Sequence, residues 1–96
     1  MAKEKILENI HLKVLIVEDS TRDFELMCEQ LADAGYTLSV SRAEKKNEFI
    51  SLLHASKYDI ILSDFKLPEF DAFSALQICI GVCPDVPFIC VSGSIG

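Results

Sequence analysis

The chain has 96 residues, 50% of them apolar and 25% charged, a length that supports one core and a composition that excludes a disordered or collagen-like polymer. Fifteen acidic residues against nine basic ones leave a net charge of -6, which disfavours nonspecific attraction to nucleic acid or anionic lipid and points to cations or basic partners. The longest apolar runs, residues 14–17 and 88–91, fall far short of a membrane span, and the polar start MAKEKILEN lacks a signal peptide's apolar centre, so no membrane contact and a cytoplasmic location are expected.

Residues 12–17, LKVLIV, form a nearly continuous apolar run with the β-branched content of a strand buried on both faces. A helix follows, which Ser20 caps, which repeats Phe24, Met27, Cys28, Leu31 and Ala34 at helical spacing, and which Gly35 ends. Residues 37–41 read as a weaker strand, and residues 44–57 as a second helix with a stripe of Phe49, Ile50, Leu52 and Leu53. Residues 59–63 are a third strand. After Pro68, the helical period returns over residues 71–83 through Phe73, Leu76, Ile80 and Cys83, and Pro84 with Pro87 leads into a fourth strand over residues 86–91.

Four cysteines, Cys28, Cys79, Cys83 and Cys90, include no Cys-x-x-Cys pair. Cys79 and Cys83, one helical turn apart, would admit a shared metal or a redox pair, but small hydrophobes packed in or near the core are the preferred reading. His11 and His54 have no Ser or Cys partner at informative spacing.

Strands alternating with helices predict an α/β fold with an open parallel sheet and helices on both faces. In such sheets ligands bind beyond the carboxyl ends of the strands. Those positions hold Glu18 and Asp19 after the first strand, Asp64 after the third, and Ser92, Gly93 and Ser94 after the fourth. Two like charges about 4 Å apart repel by about 4 kcal/mol at an effective dielectric of about 20, so three converging carboxylates call for a cation, and hard oxygen donors favour Mg2+. Any one of these residues, Asp19 before STRD above all, fits an ordinary helix cap. The three together, with a hydroxyl nearby, fit a metal and phosphate site better. The acidic EDST after the first strand replaces the glycines of a dinucleotide-binding turn, and no Gly-x-x-x-x-Gly-Lys loop is present.

These residues resemble the receiver domain of response regulators in two-component signalling. VLIVEDS (residues 14–20) is similar to that family's first strand and acidic pair, DIILSDFKLPEFDAF (residues 59–73) to its phosphoacceptor strand and loop, and PFICVSGS (residues 87–94) to its fourth strand. The resemblance implies a flavodoxin-like, doubly wound sheet of order 2-1-3-4, with an N-terminal extension over residues 1–11 and the receiver over residues 12–96.

It also implies that Asp64 accepts a phosphoryl group from a phosphohistidine of a sensor histidine kinase or histidine phosphotransfer protein, in a signalling domain that assists its own phosphorylation and dephosphorylation and is not an enzyme. Mg2+ would be bound by Asp19, by Asp64, by Glu18 mostly through water and by the main-chain carbonyl of Lys66. Ser92 would contact the phosphoryl oxygens and act in switching, Gly93 would leave room for the donor, and the Lys66 side chain and Ser94 would tune hydrolysis.

Ala72 departs from the glycine the family often carries there. The family's fifth strand, its lysine and its last helices are not in this chain, so weak phosphorylation and a dimer through the open edge of the fourth strand are expected if the chain truly ends at Gly96. The alternative function is a phosphorylation-independent pseudo-receiver acting as a protein interaction module.

Overall fold

A computed structural model of the chain describes residues 10–64 and 70–91. Seven elements alternate along it: β1 (His11–Val17), α1 (Thr21–Asp33), β2 (Thr37–Ala43), α2 (Lys46–Ala55), β3 (Ile60–Asp64), α3 (Ala72–Val82) and β4 (Phe88–Val91). The strands form one sheet in the order β2-β1-β3-β4, every pairing parallel. Order and elements match the expected flavodoxin-like fold.

The two-residue period of a strand sends alternate side chains of β1 to opposite faces, and each face meets different helices. Leu15 and Val17, with Ile61 of β3, enter a core shared with Phe49 and Leu53 of α2 and with Ala75 and Cys79 of α3. Val14 and Ile16, with Leu62, pack on the other face against Met27, and Phe24, Cys28 and Leu31 of α1 close over them. Because both neighbours of β1 are strands and both its faces are covered, Val14, Leu15, Ile16 and Val17 are fully buried, which is why this segment reads as an unbroken apolar run.

Phe49 is fully buried, its ring 5.5 Å from that of Phe70 and tilted to it. Truncating a buried phenylalanine removes its transfer free energy and leaves a void, so Phe49→Ala is expected to lower the unfolding free energy by about 4 kcal/mol in a urea titration. A loss under about 1 kcal/mol would show that this ring does not anchor α2.

Local chemistry sets the helix ends. The Ser20 hydroxyl accepts from the Asp23 amide at 3.3 Å, and Gly35, at φ 101°, takes the left-handed conformation that closes α1. Asp71 accepts from the Ser74 amide at 2.8 Å, a bond that holds its carboxyl below the usual carboxylate range.

Several boundaries differ from the sequence expectation, each through a contact made between elements. β2 runs on to Ala43, because Val17 pairs with Ala43 and the Glu18 amide donates to the Ala43 carbonyl at 3.0 Å. α2 begins only at Lys46, since the Glu48 carboxylate accepts from the amides of Glu44 and Lys45, both at 3.1 Å. Asp59 precedes β3 and exchanges two hydrogen bonds with the Lys13 backbone, one through its amide and one through its carboxylate. β4 starts two residues late, because the Val86 amide turns back to the Cys83 carbonyl at 3.1 Å.

Cys79 is buried, and burial pushes its thiol up to about 12, as befits a packing residue; its Sγ lies 3.5 Å from that of Cys83. His54 is exposed in the last turn of α2, and His11 hydrogen-bonds the Ser39 hydroxyl at 2.7 Å.

Candidate functional site

Parallel pairing of β1 with β3 aligns Val17 with Ser63. One residue further, the chain brings Glu18 and Asp64 to the same end of the sheet, and Asp19 follows from the turn into α1. The Glu18, Asp19 and Asp64 carboxylates offer oxygens that all lie within 4.8 Å of one another. Glu18 is 1% exposed and Asp64 8%, whereas Asp19 is open to solvent. Asp64 is itself the last residue of β3, paired with Val91 of β4, and the Ser63 hydroxyl donates to its carbonyl at 3.1 Å. The phosphoacceptor candidate is thus carried on sheet backbone, not on a loop.

The electrostatics are those of crowded carboxylates. Burial drives the Glu18 carboxyl up to about 7, the charges of Asp64 and Asp23 and a hydrogen bond with Asp19 add to the rise, and the Ser20 amide, donating to Glu18 Oε2 at 3.1 Å, opposes it. Around Mg2+ at metal–oxygen distances of about 2.0–2.1 Å, opposite ligands of an octahedron stand about 4.2 Å apart. Three hard oxygens within 4.8 Å therefore fit one such ion with small side-chain adjustments, Glu18 and Asp64 from the buried side and Asp19 from the solvent side.

Among the site residues expected from sequence, Glu18, Asp19 and Asp64 converge; Lys66, Ser92, Gly93 and Ser94 lie outside the described residues. Arg42, at the end of β2, escaped sequence reasoning. Its Nε donates to the Glu18 carbonyl at 2.9 Å, Nη2 to the Asp19 carbonyl at 3.0 Å and Nη1 to the Thr21 hydroxyl at 3.1 Å. The only hint along the chain is a basic residue at the carboxyl end of a strand, and that hint gains meaning only through the register that sets Ile16 beside Arg42.

A family model described as the response regulator receiver domain matches residues 14–95. The chain belongs to this receiver domain family. Over 85 residues it is 31% identical to the two-component response regulator ARR11 of Arabidopsis thaliana, covering 86% of the chain and 16% of that protein. Over 63 residues it is 35% identical to hybrid signal transduction histidine kinase B of Dictyostelium discoideum, covering 66% of the chain and 3% of that protein. The chain therefore spans a small part of the curated relatives it matches.

Among solved structures, it superposes with a TM-score of 0.72 on the receiver domain of the Pseudomonas aeruginosa PAO1 sensor histidine kinase PA1611, which has a magnesium ion coordinated in its active site cleft; the identity is 23%, over 88% of this chain and 69% of that one. A response regulator receiver protein from Sinorhizobium medicae WSM419 gives a TM-score of 0.69 at 17% identity, over 85% of this chain and 66% of that one. These likenesses show the receiver fold. Receiver domains are signalling modules of two-component systems, and among the described residues no helix is long and apolar enough to cross a membrane.

Proposed function

We propose that this receiver domain accepts a phosphoryl group on Asp64 from a phosphohistidine of a sensor histidine kinase or histidine phosphotransfer protein, in a Mg2+-dependent step in the cytoplasm. The observation that carries this reading is the convergence of Glu18, Asp19 and Asp64 at the carboxyl ends of β1 and β3. Membership of a family used in two-component signalling supports the choice of donor, and a magnesium ion in the cleft of the PA1611 receiver supports the choice of cation.

In the proposed step an Asp64 carboxylate oxygen attacks phosphorus, the O–P bond forms as the P–N bond breaks, and the electron pair of that bond returns to the imidazole of the donor. Asp64, fixed on β3 backbone, supplies the nucleophile in one orientation, so little freedom is lost on reaching the transition state. The carboxylates of Glu18, Asp19 and Asp64 and the Lys66 carbonyl would hold Mg2+, which when bound offsets the negative charge of the phosphoryl oxygens. Ser92 would offer its hydroxyl to those oxygens, Gly93 would leave space for the donor, and Lys66 and Ser94 would tune the hydrolysis that the domain assists. Capture of Ser92 by the new phosphoryl group would then shift the surface beyond β4 between two states and change partner affinity.

The test is transfer of radiolabelled phosphoryl from a phosphorylated histidine phosphotransfer protein to the natural protein containing this chain. Label is expected to move in Mg2+ and to stay on the donor when EDTA is present; equal transfer in both conditions would overturn the metal assignment, and none in either would overturn the phosphoacceptor assignment.

A further inference from the structure

We propose that Arg42 is a positioning residue of the acidic site, clamping the main chain of Glu18 and Asp19 so that their carboxylates face Asp64, and thereby setting the affinity for the cation. The inference rests on the metal role proposed above and adds a residue from a strand that contributes no ligand.

The geometry argues for a clamp. Only Glu18, Asp19 and Ser20 separate β1 from α1, and Arg42 takes two consecutive carbonyls of this turn, at 2.9 and 3.0 Å, while reaching the first residue of α1, Thr21, at 3.1 Å. A planar guanidinium presents these donors in a rigid fork, so it fixes the relative placement of all three acceptors at once. The fork is itself held. Its carbon lies 5.1 Å from the centre of the Phe24 ring, and Nη2 is 3.6 Å from a Glu44 carboxylate oxygen.

Arg42 thus holds the main chain of the same two residues whose carboxylate oxygens lie within 4.8 Å of those of Asp64. Among the described residues, the other ties on the turn are the Glu18 amide to Ala43, the Ser20 amide to the Glu18 carboxylate, the Glu18–Asp19 side-chain bond, the Phe24 amide to the Ser20 carbonyl and the Ser20 cap itself. Loss of Arg42 would leave the two carbonyls to water and let Asp19, which is exposed, move away from the cluster. Groups that orient metal ligands from behind typically change affinity by about 10- to 100-fold when removed.

Arg42 also brings a positive charge to this turn, and Arg42→Lys separates the effect of that charge from the effect of the fork. Lysine keeps the charge and loses the fork. The experiment is isothermal titration of the natural protein with Mg2+, without phosphodonor, together with amide hydrogen exchange in Mg2+-free buffer. Arg42→Ala is expected to weaken Mg2+ binding about tenfold or more, Arg42→Lys to behave like Arg42→Ala, and Glu44→Ala, which removes only the outer ion pair, to keep parental affinity. In the metal-free protein, exchange at Ser20 is expected to quicken in both Arg42 variants and not in Glu44→Ala.

Parental affinity in Arg42→Ala, or its recovery in Arg42→Lys, would overturn the clamp. A parent that takes up no Mg2+ would instead overturn the metal reading, and unchanged Ser20 exchange in Arg42→Ala would then still overturn the clamp by itself.

Discussion

Asp64→Ala is expected to abolish phosphoryl uptake from acetyl phosphate, seen as the loss of the mass gain of one phosphoryl group in intact-protein mass spectrometry of the natural protein with Mg2+. A small donor removes the need for a cognate kinase, so the result reports on the site alone. The effect is complete and not graded, because the substitution removes the atom that forms the bond. Neither neighbour is placed to substitute for it. Glu18 is 1% exposed, too enclosed for a donor to reach, and Asp19 projects from the exposed turn.

The same substitution removes one of three crowded carboxylates, all of them charged above about pH 7 in the metal-free protein. Two charges about 5 Å apart repel by about 3 kcal/mol at an effective dielectric of about 20. At pH 8 the metal-free Asp64→Ala protein is therefore expected to melt higher than its parent, even as it loses function. A gain in mass that survives Asp64→Ala would place the chemistry on another residue and sink the assignment. Full retention of partner binding and output by Asp64→Ala would favour the phosphorylation-independent interaction module.

The second large effect is a pH dependence centred on Glu18. Its carboxyl titrates at about 7 in the folded protein and at 4.5 in its ordinary environment, so the folded state binds the proton more tightly than the unfolded one. Folding stability from this group is complete below about pH 4.5 and is lost as pH rises through about 7. The difference corresponds to at most about 3 kcal/mol. Glu18→Gln keeps the shape and has no proton to lose, so in metal-free buffer at pH 8 it is expected to melt above the parent, while at pH 4 the two converge.

Mg2+ reverses the order, since a cation requires the carboxylate and rewards the parent for ionising. Thermal unfolding at pH 4 and pH 8, with EDTA or with Mg2+, gives the full comparison. An advantage for Glu18→Gln that is equal at both pH values, or that persists undiminished in Mg2+, would show that Glu18 is neither strained by its charge nor relieved by a cation.

Much of this architecture can be read along the chain because burial on both faces leaves an unmistakable trace. Val14 to Val17 and Ile60 to Leu62 are apolar without alternation, and a run of that kind followed at once by Glu18 or Asp64 marks a strand end facing a crevice. Ser20 and Gly35 announce the limits of α1 through side-chain chemistry and backbone freedom that are local to them.

What stayed hidden depends on neighbours far away in sequence. The last two residues of β2 are strand because β1 lies beside them, and Arg42 matters through main-chain carbonyls, which every residue possesses and no motif records. The late start of β4 has the same origin, a turn closed by Val86 onto Cys83.

The placement of β1 between β2 and β3 has a consequence for how the molecule assembles. Pairing of β1 with β2 crosses 26 positions, from Val17 to Ala43, whereas pairing with β3 crosses 46, from Val17 to Ser63. The nearer partner closes the smaller loop, so β1, α1 and β2 can gather first, and with them the turn that bears Glu18 and Asp19. β3 then arrives, pairs with the free edge of β1, adds Ile61 and Leu62 to the two apolar layers, and in the same movement brings Asp64 to that turn. Hydrophobic closure and electrostatic repulsion are thereby locked into one docking event, and a divalent cation binding there would act as a latch on the β1–β3 pair as well as a participant in chemistry.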